Sequence, residues 1–256
     1  MNILVCVKRV PATAGKITLT ADEQEIDTRY LGFTVSPHEE CAVEEAVRIV
    51  EAHGGSSTVL TLGPAEAADQ LREAMAVGID RAIHLETDGS DWSAVDTAAA
   101  ITATIRDREA IDGPFDLILL GNEAADTGDF QVGVRVAVAL DRPIVSGIKA
   151  LEVSDDAIVA RREATGGGWE VYEVPRPALA SVKEGINLPR YPSVPGRLRA
   201  RKKEIDRIVP ERASGAPTKI RLRVPVEQES AVEILGEGPA AAPRVVEVLR
   251  RLGLIA

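Results

Sequence analysis

The sequence lacks the features that most directly announce a function. It has two cysteines, Cys6 and Cys41, in no CxxC pair; this excludes a disulfide framework and agrees with a reducing compartment. Its three histidines, His38, His53 and His84, are scattered without metal-ligand spacing, which speaks against a metalloenzyme and for no bound metal. No window approaches the ~20 consecutive apolar residues of a membrane-spanning helix. GxGxxG after a strand and GxxxxGK[ST] are both missing, so neither an ordinary dinucleotide fold nor a P-loop NTPase is expected. A GxSxG elbow is absent too, and no Ser/His/Asp or Cys/His set assembles. Cys6, in an apolar run, reads as a small core residue, and His38 and His84 read as packed or surface histidines. No catalytic centre is expected.

What is there begins with a chain of 256 residues and 45% hydrophobic content, enough to bury a substantial core. Met1-Asn2-Ile3-Leu4-Val5-Cys6-Val7 enters an apolar run directly, without a basic leader region, so a cytoplasmic protein is expected. The net charge of -10 is unevenly spread. Residues 190–223 hold eleven Lys/Arg against three Asp/Glu, while the rest of the chain is strongly acidic. That segment has no aromatic residue beyond Tyr191 for base stacking, so it reads as a docking arm for an acidic protein surface, with no nucleic acid.

Apolar spacing alternates between two periods. Residues 2–8, 57–62, 81–86 and 115–121 read as strands. Residues 37–52, the stretch from Ala65 to Gly78, and 92–110 read as helices, with Pro37 suited to a first turn and Gly78 to a helix end. The expected fold class is α/β: a mostly parallel sheet with helices on both faces, Rossmann-like and adenine-nucleotide-binding. From about residue 144 the pattern changes to "IVSGIKALEV", "AIVARREA", "WEVYEV" and "ALASVKE", which read as antiparallel additions to that sheet. Residues 1–208 are expected to form the main domain. Residues 209–256, with one convincing helix near 239–252, are expected to be an extended arm packing on this chain or on a partner.

In an open parallel sheet, ligands sit beyond the C-terminal strand ends. The loops there are 9–15, 63–65 and 121–130. The last lies in "LILLGNEAADTGDFQVGVRVAVAL", a strand running through a Gly-containing turn into a helix, an arrangement that can hold a phosphate on free N–H groups. Glu123, Asp126 and Asp129 make this turn acidic. Asp126 or Asp129 could cap the helix or face ribose hydroxyls; a plain solvated acidic turn explains the composition equally well.

Six segments in order resemble the beta subunit of electron transfer flavoproteins over residues 2–208: "ILVCVKRVP", "SPHEECAVEEAVRI", "LGPAEAADQLREAMAVGIDRAIHLE", "LLGNEAADTGDFQVG", "RREATGGGWEV" with "RPALASV", and "NLPRYPSVPGRLRARKKEI". The resemblance implies a heterodimer with an alpha subunit that carries most of an FAD site, and an AMP of structural role in this chain. It also implies electron transfer from acyl-CoA and related dehydrogenases, as in fatty acid oxidation, to a quinone oxidoreductase, with no catalytic centre here.

Carried over, the AMP site would take Cys6 on the first strand, Ser36, Pro37, His38 and Glu39 at the first helix start, and Leu62 on the next strand. Asp126, Thr127, Gly128, Asp129 and Phe130 would follow in the turn. Gln131, Val132, Gly133, Val134, Arg135, Val136, Ala137 and Val138 would complete it in the helix. Glu170 matches an acidic residue that approaches the flavin, although Thr165-Gly166 stands where relatives often carry an acid. Partner dehydrogenases would dock on residues 189–203, through Tyr191, Val194 (where leucine is common) and Pro195, steered by Arg197, Arg199, Arg201, Lys202 and Lys203. Bifurcating relatives hold a second FAD in place of AMP and tend to show Asp-Gly-Asp-Thr-Ala-Gln-Val-Gly. Here the order is Asp126-Thr127-Gly128-Asp129-Phe130-Gln131-Val132-Gly133, which favours AMP; the second FAD, or a free-standing adenine-nucleotide sensor, is the alternative.

Overall fold

The computed structural model describes residues 1–12, 17–154, 156–212, 219–225 and 232–255; part of the loop expected at 9–15, and Asp155, lie outside them. Strand β1 (Asn2–Val7) is the centre of the architecture. Its residues Ile3 to Val7 are buried on both faces, the pattern of an interior parallel strand. It pairs in parallel with β4 (Ser56–Gly63) on one side and β6 (Leu117–Gly121) on the other. β5 (Arg81–Glu86) extends the sheet beyond β4, and the short β11 (Asp206–Ile208) extends it beyond β5. A small hairpin, β2 (Val10–Pro11) with β3 (Phe33–Thr34), stands apart in the loop after β1.

On the far side of β6 the sheet continues through β10 (Ala178–Val182), β7 (Ile144–Val153), β8 (Ala157–Glu163) and β9 (Trp169–Pro175). The pairs β7–β8 and β8–β9 are antiparallel, as the sequence suggests. The run 178–184 is different. It is not an antiparallel addition: β10 inserts between β6 and β7 and is parallel to both. Its five residues, Ser181 included, are all buried, and such an uninterrupted buried run belongs to the sheet interior.

Helices cover both faces. α1 (Pro37–His53), α2 (Ala68–Val77, entered through a 3-10 turn at Ala65–Ala67) and α5 (Val194–Lys202) lie with the core built on Ile3, Val5, Val59, Leu117 and Leu119. α3 (Ala94–Asp112) and α4 (Gln131–Leu140) lie with the core of Leu4, Leu60, Ile83, Ile118 and Leu120. Successive residues of one strand thus feed opposite cores. No helix among the described residues is long and apolar enough to cross a membrane.

The chain divides into two compact units, Met1–Arg221 and Leu222–Ala256. Among the described residues, 209–212 and 219–221 belong to the first unit: Arg212 stacks over Trp92, Lys219 pairs with Asp91 and Arg221 with Glu23. In the second unit α6 (Ala242–Arg251) follows a 3-10 turn and buries none of its residues.

Leu119 is fully buried at the centre of β6, whereas Ile111 on α3 is 74% exposed. Leu119→Ala is expected to lower the unfolding free energy by about 3 kcal/mol through lost transfer and cavity terms. Ile111→Ala is expected to stay within about 0.5 kcal/mol. Urea denaturation of both variants checks the pair.

Candidate functional site

The strand order reverses between β1 and β6: the chain moves from β1 to β4 and β5 on one side, then crosses to β6 on the other. The C-terminal ends of these two strands therefore flank the crevice where open α/β sheets bind ligands. Two helices start beside it, α1 and α4, on opposite faces of the sheet.

At the start of α1, Ser36 is the N-cap and Glu39 completes a capping box. The Ser36 Oγ accepts the Glu39 N–H at 3.3 Å, and Glu39 Oε2 accepts the Ser36 N–H at 3.0 Å. Pro37 sits in the first turn, where it has no hydrogen bond to lose. The other oxygen of Glu39 accepts the Lys8 N–H at 2.8 Å and so ties the exit of β1 to the start of α1. Glu39 is buried, and that burial pushes its carboxyl up to about 7 despite the hydrogen bonds from Ser36 and Lys8. Gly121, ending β6, lies directly against it. A Cβ there would come within 2.7 Å of Glu39 Cγ, so glycine is the residue that lets the two elements meet.

The turn from Gly121 to Phe130 holds its own backbone: Gly128 donates to the Ala124 carbonyl at 2.7 Å and has φ +63. Its carboxylates are each engaged. Glu123 faces His38 Nε2 at 3.2 Å. His38 Nδ1 accepts the Glu184 N–H at 2.8 Å, which leaves the ring proton on Nε2 to be donated to Glu123. Asp126 takes the Lys8 ammonium at 2.8 Å and the Thr127 N–H at 2.9 Å. Of the two caps the sequence allows, Asp126 and Asp129, Asp126 is thus not the one used. α4 begins at Gln131 with Phe130 at the N-cap position and no side-chain cap. Asp129 stands one residue earlier and accepts the Gln131 N–H at 3.1 Å. The first N–H groups of a helix have no partner inside it, and with the first taken by Asp129, those of Val132 and Gly133 come next.

The rest of α4 divides by face. Gly133 packs close to the sheet, where a Cβ would touch Ile144 and Leu120 at 3.4 and 3.5 Å. Arg135 reaches back to the Gln131 side chain at 2.8 Å. Val136 and Ala137 are buried in the core, while Val134 and Val138 are exposed, as is Phe130. Cys6 is buried near the end of β1, where desolvation and then Glu39 push its thiol up to about 12; it is a neutral packing group. Leu62, one residue before the end of β4, is half-buried.

Two further regions lie elsewhere. Glu170 on β9 accepts from Arg162 Nε and, at 2.9 Å, from the Tyr172 hydroxyl; these bonds hold its carboxyl below the usual range. In the basic stretch, residues 194–202 form the helix α5, with Ser193 at its N-cap accepting the Gly196 N–H at 3.1 Å. Tyr191, Val194 and Pro195 are exposed. So are Arg197, Arg199, Arg201 and Lys202, which form no ion pair among the described residues. Lys203 is turned inward, and its ammonium donates to the Ile79 carbonyl at 2.8 Å. Sequence reasoning passed over Lys8 and Arg190, although a lysine at a strand exit, in a chain with an acidic turn after a neighbouring strand, is a usable signal.

Comparison with known proteins bears on this site. The model of the electron transfer flavoprotein domain matches residues 25–213. The electron transfer flavoprotein subunit beta of Bacillus subtilis is 33% identical over 259 residues, covering 98% of both chains. The protein of the same name from Thermoanaerobacterium thermosaccharolyticum is 33% identical over 260 residues, covering 97% of this chain and 98% of its own. That of Mycobacterium tuberculosis is 35% identical over 209 residues, 80% of this chain and 77% of its own.

The Glu39 carboxyl titrates near 7 in the folded chain, against an ordinary 4.5. Between these values the folded state keeps a proton that the unfolded chain has released. Its contribution to stability is complete below pH 4.5 and is lost as pH rises to about 7, a change on the order of 3 kcal/mol. Glu39→Gln is expected to flatten this part of the stability profile. Equal slopes for the wild type and the variant in urea melts from pH 4.5 to 7.5 would contradict the assignment.

Proposed function

The chain belongs to the beta-subunit family of electron transfer flavoproteins, and from that premise we propose that it binds a structural AMP in the crevice between β1 and β6. We propose further that it pairs with an alpha subunit into a heterodimer enclosing an FAD. The complex carries electrons from acyl-CoA and related dehydrogenases to a quinone oxidoreductase in the cytoplasm, and this chain has no catalytic centre of its own.

The observation that carries the nucleotide reading is the disposal of the acidic turn. Glu123 is turned to His38, Asp126 to Lys8 and Asp129 to the first N–H of α4. The repulsion that a phosphate would meet from three free carboxylates is thereby reduced, and the Val132 and Gly133 N–H groups at the helix start suit its oxygens. Thr127 and Gly128 lie in the same turn, and Ser36, Pro37, His38 and Glu39 at the α1 start, with Cys6 of β1 and Leu62 of β4, are assigned to the same site. Val134, Arg135, Val136, Ala137 and Val138 support the site as the body of α4. AMP so held supplies packing between the loops and takes part in no reaction. Flavin supplies the redox chemistry of the complex, mostly within the alpha subunit. On this side Glu170 is the residue proposed to come near it, fixed meanwhile by Arg162 and Tyr172.

Docking of dehydrogenases is assigned to residues 189–203. Tyr191 and Val194 expose apolar surface with Pro195, and Arg197, Arg199, Arg201 and Lys202 add charge that raises encounter rates with acidic partners. Lys203 serves as a tie to the Ile79 carbonyl beneath this surface. The arm 209–256 is assigned to packing on this chain or on the partner; Val245 and Leu252 in its α6 region remain exposed, as an apolar face awaiting cover would.

The test is release of nucleotides by denaturation from the chain co-expressed with an alpha subunit, followed by chromatography. One AMP and one FAD per heterodimer is the expected result. Two FAD would favour the bifurcating type, and a stable homodimer with exchangeable ATP would favour a sensor. Lys8→Met, which frees Asp126 to face the phosphate, is expected to lower AMP occupancy severalfold while FAD content holds.

A further inference from the structure

Leu188, Tyr191, Val194 and Leu198 are 91%, 96%, 73% and 56% exposed, yet they ride on backbone that is fastened at short intervals. Asn187 Nδ2 donates to the Cys41 carbonyl at 3.0 Å and to Glu45 at 2.8 Å. Among the described residues, the Arg190 N–H and guanidinium supply every hydrogen bond that buried Glu44 accepts through its side chain, at 2.9 to 3.2 Å. The same guanidinium reaches Glu51, two turns further along α1, at 2.7 and 2.9 Å. Gly196 presses on α2 so closely that a Cβ would stand 2.4 Å from the Ala76 carbonyl. Below it, the Arg72 guanidinium caps the carbonyls of Ala200 and Lys203.

This is an inverted arrangement. Arg190 and Lys203 are turned toward the body of the protein and hold the segment, while Leu188, Tyr191, Val194 and Leu198 face water beside the arginines of α5. Fixing backbone costs conformational entropy at every residue, and here that cost is met within the free chain by polar ties to α1 and α2. A surface ordered before contact loses less entropy when a partner arrives. Arg190 is the largest of these ties, and a planar guanidinium is the group that can serve two carboxylates at once.

We propose that Arg190, gripped by Glu44 and Glu51, is a positioning residue that presents the apolar face of residues 188–198 to a partner without touching that partner. The partner surface that fits is an apolar pocket rimmed by carboxylates, complementary to Val194 and to the free arginines of α5. This rests on the docking role proposed for residues 189–203.

The experiment uses the purified heterodimer as the varied electron acceptor of an acyl-CoA dehydrogenase reduced by its acyl-CoA. Removing Arg190 alone strands the buried Glu44 charge, so the working variant is Arg190→Ala with Glu44→Gln, compared with Val194→Ala. Both are expected to raise the KM for the heterodimer about tenfold with kcat unchanged. Only the double variant should speed amide hydrogen exchange over 186–196 in the free heterodimer, and its KM should keep the wild-type salt dependence because the free arginines remain. If Val194→Ala raises KM while the double variant keeps wild-type KM and exchange, the positioning role is overturned and the docking reading survives. If Val194→Ala leaves KM unchanged, the docking reading itself falls, and the positioning role falls with it.

Discussion

β1 lies between β4 and β6 with both faces buried, and this one pairing decides where everything else can be. Because its side chains feed two cores, the strand cannot shift register without exposing one apolar set to water. Its exit at Lys8 is therefore held at the C-terminal edge, beside the end of β6. Glu39 then fastens that exit to α1 through the Lys8 N–H, with Gly121 making room for its side chain. The crevice between β1 and β6 follows from these contacts.

Charge at this crevice is handled by pairing across the fold. The three carboxylates of the turn meet a histidine from α1, a lysine just beyond β1 and the first N–H of α4. An acidic sequence thus becomes a turn whose acids are engaged and whose helix start retains donors. On the opposite side of the site, Glu39 carries a proton at a pH where exposed glutamates do not, since burial outweighs two hydrogen bonds.

Residues 187–203 show the converse use of charge. Arg190, Asn187 and Lys203 point inward, Arg72 of α2 reaches up to the carbonyls of Ala200 and Lys203, and the outward face keeps exposed apolar groups and the arginines of α5. Polar ties thus hold the backbone of a segment whose large apolar side chains stay exposed. In the second unit, Val245 and Val246 of α6 are exposed, and Arg251 pairs with Glu233.

Much of the fold was legible because burial leaves a period in the sequence. The strands at 81–86 and 144–153 and the helix beginning at Pro37 fall where apolar spacing puts them. The family, too, was carried by local segments. The run 178–184 was misread as antiparallel because periodicity reports burial and says nothing of the neighbour; only the assembled sheet sets β10 between β6 and β7. The same limit hid Lys8 opposite Asp126, 118 residues away, and Arg190 opposite Glu44, 146 away. Local pattern determines which residues are buried and in what element, since it reflects contacts with solvent and near neighbours. Which carboxylate meets which cation depends on the three-dimensional crossing of strands and loops, and the tertiary structure alone decided that.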